Sequence, residues 1–148
     1  MPTLNWTTVI PTDRTIGELT RLLRRYGVAA ISTEYSESGE AEALGFTLRT
    51  PHGDRQFRLP VRISGVHRLL LEDPATKRRG AAFRTREHAE RVAWRVTRDW
   101  VEAQMALIAA EMATLDQVML PFLVVNPDGT TLYESYRARE DALLEVEG

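Results

Sequence analysis

The sequence predicts an α+β domain: a three-stranded antiparallel meander packed on a long central helix, with an N-terminal helix and a C-terminal β-hairpin. Three observations predict it. Residues 85–113 contain neither Gly nor Pro, residues 28–63 alternate apolar and polar positions between clusters of turn formers, and Asn126-Pro-Asp-Gly129 separates two short apolar runs. A chain of 148 residues, 43% hydrophobic and 27% charged, has globular composition and the length of one ordinary domain. Residues 1–134 are therefore read as a single domain and residues 135–148 as an acidic tail, with a helical turn or two through Ala142, Leu143 and Val146.

The alternation of Leu4, Trp6, Thr8 and Ile10 predicts a short strand before Pro11. Thr15-Ile-Gly-Glu18 fits a capping box opening a helix to Tyr26, with Gly27 as its left-handed stop. Arg21, Arg24 and Arg25 lie on its outer side and read as a solvated face. Strands follow at 28–35, 43–50 and 56–63, and Pro60 makes the third an edge or a bulge because it has no N–H to donate. Arg49, Arg58 and Arg62 read as solvating the open face of this sheet. Ser64 caps a short helix ending before Asp73-Pro74, and residues 75–82 form a basic loop. The central helix starts at the N-cap Thr85, and beyond Ala103 it is apolar almost all round, which predicts burial on most sides. Thr114-Leu-Asp-Gln117 is a second capping box, and residues 122–125 and 130–133 are the strands of the hairpin.

Charge is distributed unevenly. Residues 1–73 balance nine Arg against nine acids, residues 74–98 set eight basic residues against two acids (+6), and residues 99–148 set two against ten (−8). A basic face and an acidic face are implied, which bears on partners rather than on fold. His88, Arg91, Arg95 and Arg98 recur at spacings of three, four and three, so they share one stripe of the central helix, and Arg84 extends its line.

Chemistry is harder to find. There is no Cys for a disulfide or thiolate site, and His52, His67 and His88 are scattered. Neither a phosphate-cradling Gly loop, nor His-x-x-x-His, nor an EF-hand loop, nor a Gly-x-Ser-x-Gly elbow occurs. His88 reads as a surface residue of a basic helix, so no catalytic residue, metal or cofactor is expected. No signal-like N-terminus and no run near 18 apolar residues is present, so the expected setting is cytoplasmic with no membrane partner.

Trp94-Arg-Val-Thr-Arg-Asp-Trp-Val-Glu-Ala-Gln104, Leu115-Asp-Gln-Val-Met-Leu-Pro-Phe122 and Thr131-Leu-Tyr-Glu134 resemble a group of small proteins of bacteriophages and other mobile elements. The resemblance covers residues 83–134. That group has no established activity, so the likeness implies a bacterial or phage setting and assigns no site. A looser resemblance lies in element order: helix, three strands, then a helix preceded by Lys-Arg-Arg is similar to the double-stranded-RNA-binding domain, whose basic residues at that place hold phosphates. Here residues 64–84 are inserted before the long helix, and that helix is longer than the domain's.

Two functions are thus expected from different classes. In one, a non-catalytic accessory protein binds DNA or RNA phosphates through Lys77, Arg78, Arg79, Arg84, Arg91, Arg95 and Arg98. In the other, the apolar helix around Met105, Leu107 and Ile108 forms a homo-oligomer or docks on another protein, with the basic stripe meeting an acidic surface.

Overall fold

The computed structural model describes residues 3–147. Helix α1 (Thr12–Arg24) leads into strands β1 (Val28–Tyr35), β2 (Ala41–Thr50) and β3 (Gly53–Pro60); α2 (Ile63–Glu72), α3 (Pro74–Arg79), α4 (Arg86–Ala109), α5 (Leu115–Met119) and α6 (Leu132–Glu147) follow. The α+β class, the meander and the long central helix of the sequence reading are all present, and the sheet order is β1-β2-β3, antiparallel throughout.

One face of the sheet is apolar because the period of two lines up Leu44 and Phe46 of β2 with Leu59 and Phe57 of β3, their directly paired partners. The Phe46 and Phe57 rings stack at 5.3 Å. Leu19 and Leu23 of α1, Leu70 of α2, and Val92, Trp94, Val101 and Met105 of α4 join them in one buried cluster. Helix α4 is held in register with β2 at a single residue. Trp94 Nε1 donates to the Ala41 carbonyl at 2.9 Å, and the Ala41 N–H donates to Glu90 Oε2 at 3.0 Å. Glu90 Oε1 also accepts from Thr12 Oγ1. Thr12 meets Glu90, Glu18 meets Arg95, and Tyr26 Oη donates to the Met105 carbonyl, so α1 and α4 run parallel side by side.

Several local expectations are corrected. The first strand is absent: residues 4–7 form a turn with Asn5 at φ 63°, a conformation Asn tolerates, and Trp6 packs edge-on to Phe83. The Thr15–Glu18 box does not form, because α1 already starts at Thr12 after Pro11 and Thr15 is fully buried one turn in. Helix α2 likewise starts at Ile63, without a side-chain cap from Ser64. The basic loop is a helix, α3, with Asp73 as N-cap accepting from Ala75 N–H at 2.9 Å and Pro74 in the first turn. Thr76 anchors it, donating its hydroxyl to the carbonyls of Leu70 and Asp73.

The ends of α4 differ in legibility. Its N-cap is Thr85, whose Oγ1 accepts from His88 N–H at 3.0 Å, as expected. It stops at Ala109, short of Ala113, through Met112 N–H to Leu107 and Glu111 N–H to Ile108, with Glu111 at φ 61°. That is the Schellman pattern, here without the usual Gly. The apolar second half is not buried on most sides: Ala103, Ala106, Ala109 and Ala110 face solvent.

The C-terminal hairpin is not formed. Its turn is, with Gly129 N–H donating to the Asn126 carbonyl and Gly129 at φ 89°, but the strands shrink to the bridges Phe57–Leu123 and Val124–Thr131. Thr131 instead opens α6: its Oγ1 accepts from Glu134 N–H, and Glu134 Oε1 accepts from Thr131 N–H at 3.1 Å. Thr-Leu-Tyr-Glu is a capping box, and it overrides the weak strand preference of residues 130–133. The second capping box, Thr114 with Gln117, forms as the sequence predicts.

Candidate functional site

The seven basic residues singled out from the sequence divide into two environments. On α4, Arg95 is ion-paired with Glu18 of α1, and Arg98 reaches Glu18 at 3.7 Å, Asp99 at 3.3 Å and also Glu102. Arg91 pairs with Glu87 at 3.3 Å, and its guanidinium lies 3.4 Å from His88 Nδ1. The side chains of Arg95 and Arg98 are only 16% and 20% exposed. Arg84 is half-buried, and its carbonyl meets His67 Nε2 at 3.0 Å. Arg91, Arg95 and Arg98 are therefore neutralised by their own neighbours, whereas the Arg84 guanidinium meets no carboxylate among the described residues.

The N-terminal segment lies against the same stripe. His88 is buried at 3% exposure, its Nε2 is 2.6 Å from the Trp6 carbonyl, and its ring meets Phe83 edge-on. Asn5 Nδ2 donates to Asp99 Oδ2 at 2.8 Å. The reading of His88 as a surface residue is thus corrected: Trp6, remote in sequence, and Phe83 pack against it.

On α3, Lys77, Arg78 and Arg79 are exposed and make no ion pair among the described residues. The Arg79 guanidinium sits 5.8 Å from the ring centres of both Trp6 and Phe83. Stacking of this kind holds a cation in a fixed place without neutralising it. Asp73 Oδ2 accepts from the Thr3 N–H, tying the N-terminal segment to the start of α3. These hydrogen bonds, first that from Ala75 and then that from Thr3, hold the Asp73 carboxyl below its ordinary pKa.

A further row emerges on α1, two of whose members, Arg21 and Arg25, read from the sequence, with Arg24, as a solvated face. Arg14, Arg21 and Arg25 recur at spacings of seven and four, which puts them within about 40° of one another on α1. All three are exposed, as is Arg24, and none pairs with a carboxylate among the described residues. Glu18 falls in the same row, but its carboxylate is engaged by Arg95 and Arg98 of the neighbouring helix. Arg14 lay outside the helix expected after Thr15 and joins the row only because α1 starts at Thr12, and no local pattern shows that Glu18 turns to α4.

The Arg on the sheet are different again. Arg58 pairs with Glu34 at 2.7 Å across β2, and from the start of α4 Arg86 holds Glu40, just before β2, by two bonds of 2.6 and 3.0 Å, which raises the Arg86 pKa. Residues 124–129 pass over that face, and with Arg62 and Glu134 these groups line a cleft of mixed sign rather than a basic one. Among the described residues no three His, Asp or Glu side chains gather to hold a metal ion. No helix among the described residues is long and apolar enough to cross a membrane.

The residues proposed from sequence as an oligomer interface also separate. Met105 is 2% exposed and belongs to the core, Ile108 packs against that core, and Leu107 is half-buried. The structure is α+β, with an exposed, unpaired arginine row on α1 and an exposed Lys-Arg-Arg cluster at the end of α3. Compared with known proteins, it matches no family description, no curated protein and no solved structure at a significant level.

Proposed function

We propose that this is a non-catalytic accessory protein that binds nucleic acid through its phosphates, using α3 (Lys77, Arg78, Arg79) and the α1 row (Arg14, Arg21, Arg25) as the contacting cations. The observation that carries this reading is the sorting of charges. The α4 arginines are paired at home, whereas the α1 and α3 cations are exposed and have no carboxylate partner among the described residues. Rows of unpaired guanidinium groups at helical spacing suit a repeating anion, because each forms charge-assisted bonds with phosphate oxygens and releases a condensed counterion.

The order helix, three antiparallel strands, then helices is analogous to that of the double-stranded-RNA-binding domain, which grips a backbone by shape and phosphate contacts; the analogy is one of element order alone. Helices α2 and α3 fill the insertion, and α3 carries the Lys-Arg-Arg. Contacts of this kind position a duplex or strand without reading its bases, so binding is expected to be insensitive to sequence. The test is fluorescence polarisation with labelled oligonucleotides at about 50 mM salt. Binding abolished by charge reversal of Lys77, Arg78 and Arg79 supports the proposal; an unmutated protein that binds no single- or double-stranded oligonucleotide ends it.

A further inference from the structure

We infer that Arg79, seated against Trp6 and Phe83, is a stacking step for an unpaired base, so that the cationic surface takes single-stranded nucleic acid in preference to duplex; this rests on the phosphate-binding reading proposed above and names the form of nucleic acid within it. One segment joins the two cationic surfaces. Residues 3–12 run from the start of α3, where the Thr3 N–H donates to Asp73, to the start of α1, and between them the Trp6 carbonyl meets His88 Nε2 in the first turn of α4. The segment carries no charged residue. An uncharged strip bearing an indole therefore links Lys77, Arg78 and Arg79 with the α1 row.

Its aromatic centre is fixed by packing. The Trp6 and Phe83 rings stand 5.3 Å apart at 68°, and the Arg79 guanidinium lies 5.8 Å from both ring centres, closing a triangle with them. Both rings are half-buried, and His88 packs edge-on to Phe83. Arg79 itself is exposed, so the side of its guanidinium away from the rings is open to solvent. The carboxylates that the strip touches are already engaged: Asp73 by Thr3 and Ala75, Asp99 by Asn5 and Arg98, and Glu90 by Thr12 and Ala41. None of them pairs with Arg79.

A planar cation held on aromatic rings presents a flat, weakly hydrated face on which any base can stack. In a duplex both faces of a base are taken by its neighbours, whereas an unpaired strand can give one to the protein. Lys77 and Arg78, on the same short helix, then serve the flanking phosphates. The order of affinities is diagnostic. A surface that meets phosphates alone favours the duplex, whose charge density is higher; one with a stacking step favours the single strand.

Fluorescence polarisation at about 50 mM salt reads this order, with an oligothymidylate of about 20 nucleotides, an abasic strand of the same length and a duplex of about 20 base pairs as probes. The thymidylate strand should bind at least about fivefold more tightly than the abasic one, and more tightly than the duplex. Arg79→Lys keeps the charge on an exposed side chain; it should weaken the thymidylate complex by about fivefold and leave the other two unchanged. Lys77→Ala, which removes a phosphate contact alone, should weaken all three alike. Thymidylate and abasic strands bound equally, a duplex bound most tightly, or an Arg79→Lys variant that loses the same factor on all three overturns the inference and leaves the phosphate-binding reading standing. Binding to none of the three ends both.

Discussion

Two rows of arginine run along neighbouring parallel helices, and only one of them is available to a partner. On α4, Arg91, Arg95 and Arg98 are held by Glu87, Glu18, Asp99 and Glu102, partly shielded from solvent, and flanked by the N-terminal segment through His88 and Asp99. On α1, Arg14, Arg21 and Arg25 stand in water. Each row falls on one face of its helix, so spacing does not separate them. The difference lies in the carboxylates: α4 carries Glu87, Asp99 and Glu102 beside its own arginines, and Glu18, which sits in the α1 row, turns to α4. A basic stripe becomes a binding surface only when the fold supplies no anion of its own.

Breaking this contrast should have effects of graded size. The largest is expected from Arg14→Glu, Arg21→Glu and Arg25→Glu together: oligonucleotide affinity at low salt should fall on the order of a hundredfold, read by polarisation, since three phosphate contacts become repulsions. Urea unfolding of the same variant should move by less than about 0.5 kcal/mol, as exposed unpaired residues carry little stability. Next is Glu18→Ala. It strands the largely buried Arg95 guanidinium, while Arg98 keeps Asp99 and Glu102, so unfolding free energy should drop by about 1–3 kcal/mol, and oligonucleotide binding should tighten as Arg95 loses its anion. A loss of affinity in this variant would count against the sorting of charges described above.

A smaller effect is expected at Arg79, which lies over Trp6 and Phe83. Arg79→Lys keeps the charge and loses the planar stacking, worth about 0.5–1 kcal/mol at an exposed site, so affinity should fall a few-fold while the salt dependence stays the same. The smallest concerns acid. The carboxyls of Asp73, Asp128 and Glu134 are all held below their ordinary pKa by hydrogen bonds from Ala75, Thr130 and Thr131 respectively. Groups depressed in the folded state contribute stability that is whole above the unfolded pKa of about 4 and is lost as pH falls through the folded one. The starts of α3 and α6 should therefore fray below pH about 4 and be unaffected between 6 and 8, as read by amide hydrogen exchange.

How much of this was legible in the sequence follows from the range of each interaction. The meander was, because its pattern repeats every two residues and its turns carry Ser-Gly and His-Gly. So were Thr85 and Thr114 as caps, whose partners lie three residues on. Asp73-Pro74 and Thr131-Leu-Tyr-Glu134 carried equally local signals for α3 and α6, and they lost out in the reading to a basic composition and to the Asn-Pro-Asp-Gly turn. The end of α4 was not legible, since Glu111 takes the left-handed position where Gly is the usual sign. Nor was the fate of the basic stripe. Glu18 lies 77 residues from Arg95, and Trp6 lies 82 from His88, so no local pattern reports either contact.

The paired and the free row differ most directly in what they contribute to binding as salt rises. Oligonucleotide affinity measured from about 50 to 300 mM salt should fall linearly on a log–log plot, with a slope near −0.9 for each phosphate neutralised on duplex DNA. The slope should shrink by about one for each of Arg14, Arg21, Arg25, Lys77, Arg78 and Arg79 changed to Ala, and should not change for Arg95→Ala. Binding that is absent at the lowest salt, or whose slope answers to Arg95 and not to the α1 row, contradicts the assignment.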